Sequence, residues 1–266
     1  MPNTFIDNRD SWLRMSDIDY LGQFVKTWLA FNAWYRSAYT ETQDRKIITE
    51  IKWQSNPVLS KLRPMLEAES EEAEQFRSEI GLLHHRLDGY EIHAGKGQEK
   101  KPITLRSVFL RENTPGIKSG KSYGYLFHVQ RAQDKKMSIE VRRKTGTIVL
   151  QYSQLAFDLA DLQANLDYRG LTPKLQAYLR QLYGDADPQW ICDLTKYQDP
   201  DPNMREIKCG AHSFRCGKEA LFAGVVETVY QMRCALFHGE LTPSKDAVAC
   251  YEPAFRVVRR FLECVG

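Results

Sequence analysis

The stretch KEALFAGVVETVYQMRCALFHGEL, residues 218–241, has the pattern of one long core helix from Lys218 to Phe237, with one chemically active side chain near its end and another directly after it. At about 100° of rotation per residue, one stripe of this helix is formed by Phe222, Val225, Val226, Val229 and Leu236. Arg233 projects inside that stripe. Because a partly buried guanidinium keeps its charge, we expect an anionic group to meet Arg233.

His238 occupies the predicted C-terminus of this helix. Gly239 suits the left-handed residue that commonly follows a helix, and Pro243 prevents the helix from continuing soon afterwards. The imidazole can give or take a proton near neutral pH, because histidine titrates in that range. His238 follows Arg233 at about 140° around a straight helix, so the two side chains converge only if Arg233 reaches forward or the terminus unwinds.

The segment from Arg233 to His238 resembles the Arg-x4–6-His signature of the HEPN-domain ribonucleases. The sequence FNAWY at 31–35 is similar to the aromatic, asparagine-containing first helix of many bacterial members, and the resemblance extends over residues 16–90 and 155–264. It implies a helical bundle, usually a homodimer, in which two Arg/His pairs approach across the two-fold axis and cleave RNA without a metal.

The resemblance also implies the catalytic roles. His238 would act as general base on a ribose 2′-OH or as general acid toward the leaving 5′-oxygen. Arg233 would neutralise the charge that develops on the phosphate. Attack by the adjacent hydroxyl would leave a 2′,3′-cyclic phosphate, and DNA would survive because it lacks this hydroxyl. Arg233 and His238 are therefore the catalytic candidates, and we expect no cofactor.

Three further residues are supporting candidates. Asn32 would position groups from the first helix, Glu240 would pair with the arginine or the histidine, and Cys234 completes the motif where active members often carry Asn, Asp or His. The alternative function is a non-catalytic HEPN-like module that binds a nucleotide or a partner protein, with Arg233 holding a phosphate or a partner carboxylate. In a purely structural interpretation, Arg233 binds helix-end carbonyls and His238 caps the terminus.

The hydrophobic pattern predicts a mainly α protein, a HEPN-like helical bundle with a small inserted antiparallel β-sheet, α+β overall. Ser16 and Asp19, in capping-box spacing, open the first helix. The predicted parts are an N-terminal helical half (1–95), a β insertion (96–152) and a C-terminal helical half with the motif (153–266). Strand patterns in the insertion are YGYLFHVQ, MSIEVRR and TIVLQY, and Gly146 suits the hairpin between the last two.

Basic residues form two candidate RNA-binding groups. The first, in the insertion, comprises Lys135, Lys136, Arg142, Arg143 and Lys144, and the aromatic residues near it are Tyr123, Tyr125 and Phe127. The second lies on one face of the last helix and comprises Arg256, Arg259 and Arg260. Aromatic faces can stack on unpaired bases, but solvated lysine-rich hairpins are commonplace, and the arginines of the last helix are also compatible with a solvated face.

The six cysteines all lie in the C-terminal third, and Cys209, His212 and Cys216 have a spacing that zinc ligands can adopt, with Cys192 as a possible fourth. Paired Cys-x2-Cys knuckles are absent from the sequence, so we predict free thiols and no metal. No glycine-rich phosphate loop occurs, and ATP use is unsupported.

Length and composition indicate a globular protein with a sizeable core. The formal net charge of +3 permits a polyanionic partner without requiring one. Neither a signal peptide nor a membrane span is predicted, so we expect a cytoplasmic protein. The expected function is a metal-independent endoribonuclease, a toxin or antiphage defence effector that acts on RNA as a homodimer, with an antitoxin or defence-system protein as a possible further partner.

Overall fold

The structure is a computed structural model that describes residue 9 and residues 18–95, 101–197, 206–242 and 244–265. Of the residues that the structure describes, 51% are helical and 20% lie in strands, with several small antiparallel sheets. This corrects the predicted mainly α, HEPN-like bundle: the protein is an α+β fold whose strands are not confined to one insertion. Ser16 lies outside the described residues, and the first helix has Asp19 as its N-cap, which accepts a hydrogen bond from the Gly22 N–H.

The described residues contain nine helices after residue 17. They are α1 (Tyr20–Ala38), α2 (Asp44–Trp53), α3 (Pro57–Met65), α4 (Glu71–Gly89), α5 (Leu159–Ala164), α6 (Leu166–Gly170), α7 (Pro173–Gly184), α8 (Lys218–Phe237) and α9 (Lys245–Glu263). The bounds of α8 match the predicted helix, and Asn56 and Pro57 are the N-cap and first residue of α3.

Ten strands lie in the same parts of the chain. They are β1 (His93–Ala94), β2 (Lys101–Pro102), β3 (Val108–Glu112), β4 (Gly116–Ser122), β5 (Tyr125–Arg131), β6 (Met137–Arg143), β7 (Ile148–Gln154), β8 (Gln189–Cys192), β9 (Ile207–Cys209) and β10 (His212–Phe214). The pairs β1–β2, β3–β8 and β9–β10 are two-stranded, and β4-β5-β6-β7 form a four-stranded antiparallel sheet.

The fold-class prediction was wrong because most of the missed strands carry little alternation of apolar and polar residues. β1 and β2 have two residues each and β9 and β10 three each, which is too short for a period of two to be recognised. β4 is almost wholly exposed, and its sequence GIKSGKS is polar on both faces. Its pairing with β5 decides its conformation.

The chain divides into two compact units, residues 1–110 with 192–266 and residues 111–191. In the first unit, α9 packs along α1 and α4, and α8 packs against α2 and α3. Four aromatic residues of α1 lie in the core, because Phe24, Trp28, Phe31 and Tyr35 are at most 1% exposed. Twelve of the twenty residues of α8 are buried, as expected for a central core helix.

A buried charge network, formed by Glu227, Lys52, Arg45 and Gln231, joins α2 to α8. The Glu227 carboxylate accepts from Lys52 Nζ at 3.0 Å and from Arg45 Nη1 at 2.7 and 2.9 Å. Gln231 donates to the same carboxylate at 2.7 Å. The side chains of Lys52 and Glu227 are 0% and 1% exposed. Burial lowers the pKa of Lys52, and the neighbouring carboxylate opposes that shift.

The second unit is a four-stranded sheet with one covered face. Alternate residues of β5, β6 and β7 point into a core that also contains Leu162 of α5, Tyr168 of α6 and Leu175, Leu179 and Tyr183 of α7. A sheet with one apolar face requires such a cover. Helices α5 to α7, predicted as part of the C-terminal helical half, therefore belong to the same unit as the strands.

We expect Glu227→Ala to lower the free energy of unfolding by about 3–5 kcal/mol, because it leaves the buried Lys52 charge without its carboxylate. The matched control is Glu219→Ala at the exposed start of the same helix, where the side chain is 51% exposed and 4.0 Å from Arg63. The control should change stability by no more than about 0.5 kcal/mol. Denaturant unfolding measures both, and equal effects would contradict the role of the network.

Acidification should destabilise the protein through His84, whose side chain is 2% exposed. Burial lowers the pKa of His84 from its ordinary value of 6.5, while Asp88 raises it and His212 lowers it. The unfolded state therefore binds more protons below about pH 6.5, and stability falls as the pH drops through that value. Thermal unfolding from about pH 7.5 to about pH 5.5 should show this loss. The loss should shrink in His84→Gln and persist in His85→Gln, which removes an exposed imidazole.

Candidate functional site

Helix α8 ends in a Schellman motif, which fixes the backbone at His238. The Glu240 N–H donates to the Ala235 carbonyl at 2.9 Å and the Gly239 N–H to the Leu236 carbonyl at 3.3 Å. Gly239 has φ of +68°, which confirms the predicted left-handed residue. His238 is the C-cap, with φ of −92° and ψ of 5°.

The His238 side chain is exposed to solvent. In the described ranges, no residue makes a hydrogen bond or ion pair with its imidazole. An exposed imidazole at a helix C-terminus can exchange protons with a bound molecule, because nothing in its surroundings occupies either ring nitrogen.

Arg233 is partly buried, with its side chain 19% exposed. Its Nη2 lies 3.4 Å from Asp44 Oδ2, so Asp44 is the anionic partner that the sequence predicts without identifying. The guanidinium also lies over the Phe237 ring, 4.9 Å from the centroid. Its buried Nε has no hydrogen-bond partner among the residues that the structure describes. The charge is thus only partly compensated, by one long ion pair.

Asp44 belongs to a small polar cluster, formed by Asn32, Tyr35, Arg36, Asp44 and Arg233. Arg36 pairs with Asp44 and also donates to the Thr42 carbonyl at 2.5 Å. Asn32 Nδ2 donates to the Tyr35 hydroxyl. Burial and the Asp44 charge raise the pKa of Tyr35 to about 12, so its hydroxyl remains protonated at neutral pH. The structure thereby connects the predicted Asn32 to Arg233 through two residues that the sequence analysis missed.

The sequence contains only weak indications that Tyr35 and Asp44 belong to this cluster. Tyr35 follows Asn32 by three positions on the same helix, which is contact spacing. Asp44 is the first residue of α2, where a carboxylate is ordinary because it interacts with the helix dipole. Nothing local in the sequence indicates that Asp44 meets α8.

The other two supporting candidates lie elsewhere. The Glu240 carboxylate accepts a hydrogen bond from the Gly95 N–H at 3.0 Å, and in the described chain it forms no ion pair with Arg233 or His238. Glu240 therefore links the end of α8 to the end of β1. Cys234 is partly buried beside Tyr230, whose pKa is raised by burial and by the Cys234 thiol.

The arginines of α9 are paired with carboxylates. Arg256 Nη2 lies 2.9 Å from Glu252, and Arg259 Nε lies 3.2 Å from Glu263. Arg260 contacts Glu263 at 3.2 Å and Glu79 at 3.5 Å, with its side chain 15% exposed. Much of the positive charge predicted for an RNA-binding face of the last helix is therefore neutralised locally.

The basic residues of the sheet unit are divided between paired and unpaired side chains. Lys136 pairs with Asp134 at 2.9 Å and Arg142 with Glu140 at 3.0 Å. Of the five candidate residues, Lys135, Arg143 and Lys144 are exposed and form no ion pair with a described residue.

Two of the three aromatic residues predicted to lie near these cations pack in or against the core and are not open to stacking with a base. Phe127 is 2% exposed and lies in the core of the sheet unit, and Tyr125 packs partly buried against the same core. Tyr123, in the turn between β4 and β5, is 62% exposed. Of these three residues, only Tyr123 can offer an open ring face to a base.

The cysteine and histidine cluster is packed as core. Burial raises the pKa of Cys209 and of Cys216 to about 12, which keeps both as neutral thiols. The His212 ring lies against the rings of His84 and His85, with centroids 4.9 and 5.5 Å away. Within the described residues, no group of three or more His, Cys, Asp or Glu side chains is placed to hold a metal ion.

Helix α8 is also long and apolar enough to cross a membrane by length and composition. Of the window that meets this test, 67% is buried inside the protein, as in the core helix of a soluble protein. A cleft of about 700 Å³ in the same unit, between the α3–α4 segment and β9, includes neither Arg233 nor His238.

Comparison of the chain with protein-family models, with curated proteins and with solved structures found no match.

Proposed function

We propose that this chain is a metal-independent endoribonuclease that cleaves RNA through the ribose 2′-OH and leaves a 2′,3′-cyclic phosphate. The observation that supports it most directly is an exposed, unpaired imidazole at the end of the helix that also carries an incompletely paired arginine. The resemblance of Arg233 to His238 to the Arg-x4–6-His signature supports the same assignment. The proposal concerns only the chemistry of this site and does not include the helical-bundle fold.

In this mechanism, His238 removes the proton of the 2′-OH or delivers a proton to the leaving 5′-oxygen. Arg233 interacts with the phosphate as negative charge develops on its oxygens. Nε of Arg233 is sealed from solvent, so the contact to the phosphate falls to the terminal nitrogens of the guanidinium, of which Nη2 faces Asp44. Asp44 holds the guanidinium in place before RNA binds, and Arg36 holds Asp44.

Tyr35 and Asn32 have positioning roles in this proposal. With its pKa raised to about 12, Tyr35 stays neutral and can donate a hydrogen bond, and Asn32 contacts its hydroxyl. Their part is to orient Asp44 and, through it, Arg233. The wider proposal is a cytoplasmic toxin or antiphage defence effector that acts on RNA, as a homodimer in which two such sites cooperate, and that an antitoxin or defence-system protein restrains.

The test is cleavage of tRNA and of unstructured RNA by purified protein in the presence of a chelator. We expect cyclic phosphate ends, no cleavage of DNA, and a loss of at least about 100-fold in rate for His238→Asn and for Arg233→Gln. His85→Asn and Arg63→Gln change an exposed histidine and a half-exposed arginine outside the site, and both should retain activity. If folded His238→Asn protein cuts RNA at the wild-type rate, the assignment of His238 is wrong.

The ion pair between Arg233 and Asp44 also favours a second function, a non-catalytic module in which Arg233 holds a nucleotide phosphate. In this alternative, Asp44 competes with the phosphate for the guanidinium. Asp44→Asn should then tighten binding of ADP by about tenfold, because it removes the competing charge at nearly constant size. Calorimetric titration of ADP into wild type, Asp44→Asn and the control Asp134→Asn measures this. Unchanged ADP affinity in Asp44→Asn would exclude the alternative.

A further inference from the structure

We propose that the sheet unit contains an anion-binding site, separate from the His238 site, in which the buried Arg131 binds a phosphate group. The site is a cleft of about 430 Å³ within residues 111–191. The lining residues that the argument uses are Arg111, Asn113, Gly116, Lys118, Arg131 and Asp187. This inference does not depend on the proposed ribonuclease activity.

Arg131 ends β5 on the covered face of the sheet and is only 8% exposed. Its neighbours in register are Gly116 on β4 and Met137 on β6, neither of which carries a charge. Burial of a guanidinium removes hydration that only hydrogen bonds and an opposite charge can replace. An arginine at this position therefore requires an anion or several acceptors.

The protein supplies only part of that requirement. Arg131 Nη2 donates to the Asn113 carbonyl. Among the described residues, no carboxylate oxygen lies within 4.0 Å of an Arg131 nitrogen, and Nε and Nη1 have no acceptor. Nε and Nη1 of Arg131 are without a partner in the described chain but are not sealed from solvent. Both are therefore accessible from the cleft that Arg131 lines. Two N–H directions of a buried cation are thus open to a ligand.

The floor of the cleft is held in place by backbone contacts. The Asn113 N–H donates to the Pro188 carbonyl at 2.8 Å, and Asn113 Nδ2 donates to the Asp187 carbonyl at 2.9 Å. Because Asn113 also accepts from Arg131, these bonds fix the guanidinium before any ligand arrives. Such preorganisation lowers the entropic cost of binding.

Space and charge in the cleft suit a phosphate monoester. A Cβ added at Gly116, opposite Arg131, would meet no atom within 4 Å. Lys118, two residues along the same face of β4, and Arg111 add positive charge. Three carboxylates, of Glu112, Asp185 and Asp187, also line the cleft. They disfavour a polyphosphate but can accept hydrogen bonds from hydroxyl or amino groups, as a nucleoside monophosphate offers.

Calorimetric titration of the full-length protein at constant ionic strength tests the proposal with three probes: 5′-AMP, inorganic phosphate and adenosine. We expect AMP to bind more tightly than phosphate, and adenosine not to bind. Tighter binding of phosphate than of AMP would identify free phosphate as the ligand of the same site. Absence of binding by both phosphate-containing probes would overturn the proposal.

Two variants locate the binding. Arg131→Gln removes the charge, and Gly116→Leu fills the space in front of Arg131 while leaving the guanidinium in place. Each should weaken binding of AMP at least tenfold. The control is Arg169→Gln, which changes an exposed arginine of the same unit that does not line the cleft. Binding that both site variants retain and Arg233→Gln abolishes would assign the phosphate to the end of α8 and refute the Arg131 site. Circular dichroism checks that each variant is folded.

Discussion

The buried carboxylate of Glu227 is the interaction on which the candidate site depends. Glu227 binds Lys52 and Arg45 of α2 from the middle of α8. Arg45 is the chain neighbour of Asp44, and Asp44 contacts Arg233 farther along α8. The same two helices are thus joined by an internal ion pair and, nearer their ends, by the pair that holds the site arginine. If the internal contact moved, Asp44 would no longer face Arg233.

Three buried or partly buried cations differ in how far neighbouring groups of the protein compensate their charge. Lys52 is fully buried and has a carboxylate at 3.0 Å, so its charge is satisfied within the protein. Arg233 has one ion pair at 3.4 Å and an unpartnered Nε. Arg131 has a carbonyl and, among the described residues, no carboxylate. Because an uncompensated buried charge is costly, the latter two would gain more from an external anion than Lys52 would.

The helices could be predicted from local patterns and the sheets only in part. The bounds of α8 and the hairpin glycine Gly146, with φ of +99°, follow from periodicity and turn chemistry. β4 is polar throughout and β9 has three residues, so neither shows a strand pattern. β9 also requires Gly81 of α4, where a Cβ would lie 2.0 Å from the Cys209 carbonyl oxygen. Such a contact between distant segments has no local signature.

For the candidate site, the sequence alone determined Arg233 within an apolar stripe, His238 at the helix end and the left-handed Gly239, since all three depend on the geometry of one helix. It also required an anion beside Arg233. Only the tertiary structure decided that this anion is Asp44, that Glu240 turns to Gly95 instead, and that α5 to α7 cover the sheet. These choices depend on which distant segments pack together, and packing is set by the complementarity of whole surfaces rather than by the residues adjacent in the chain.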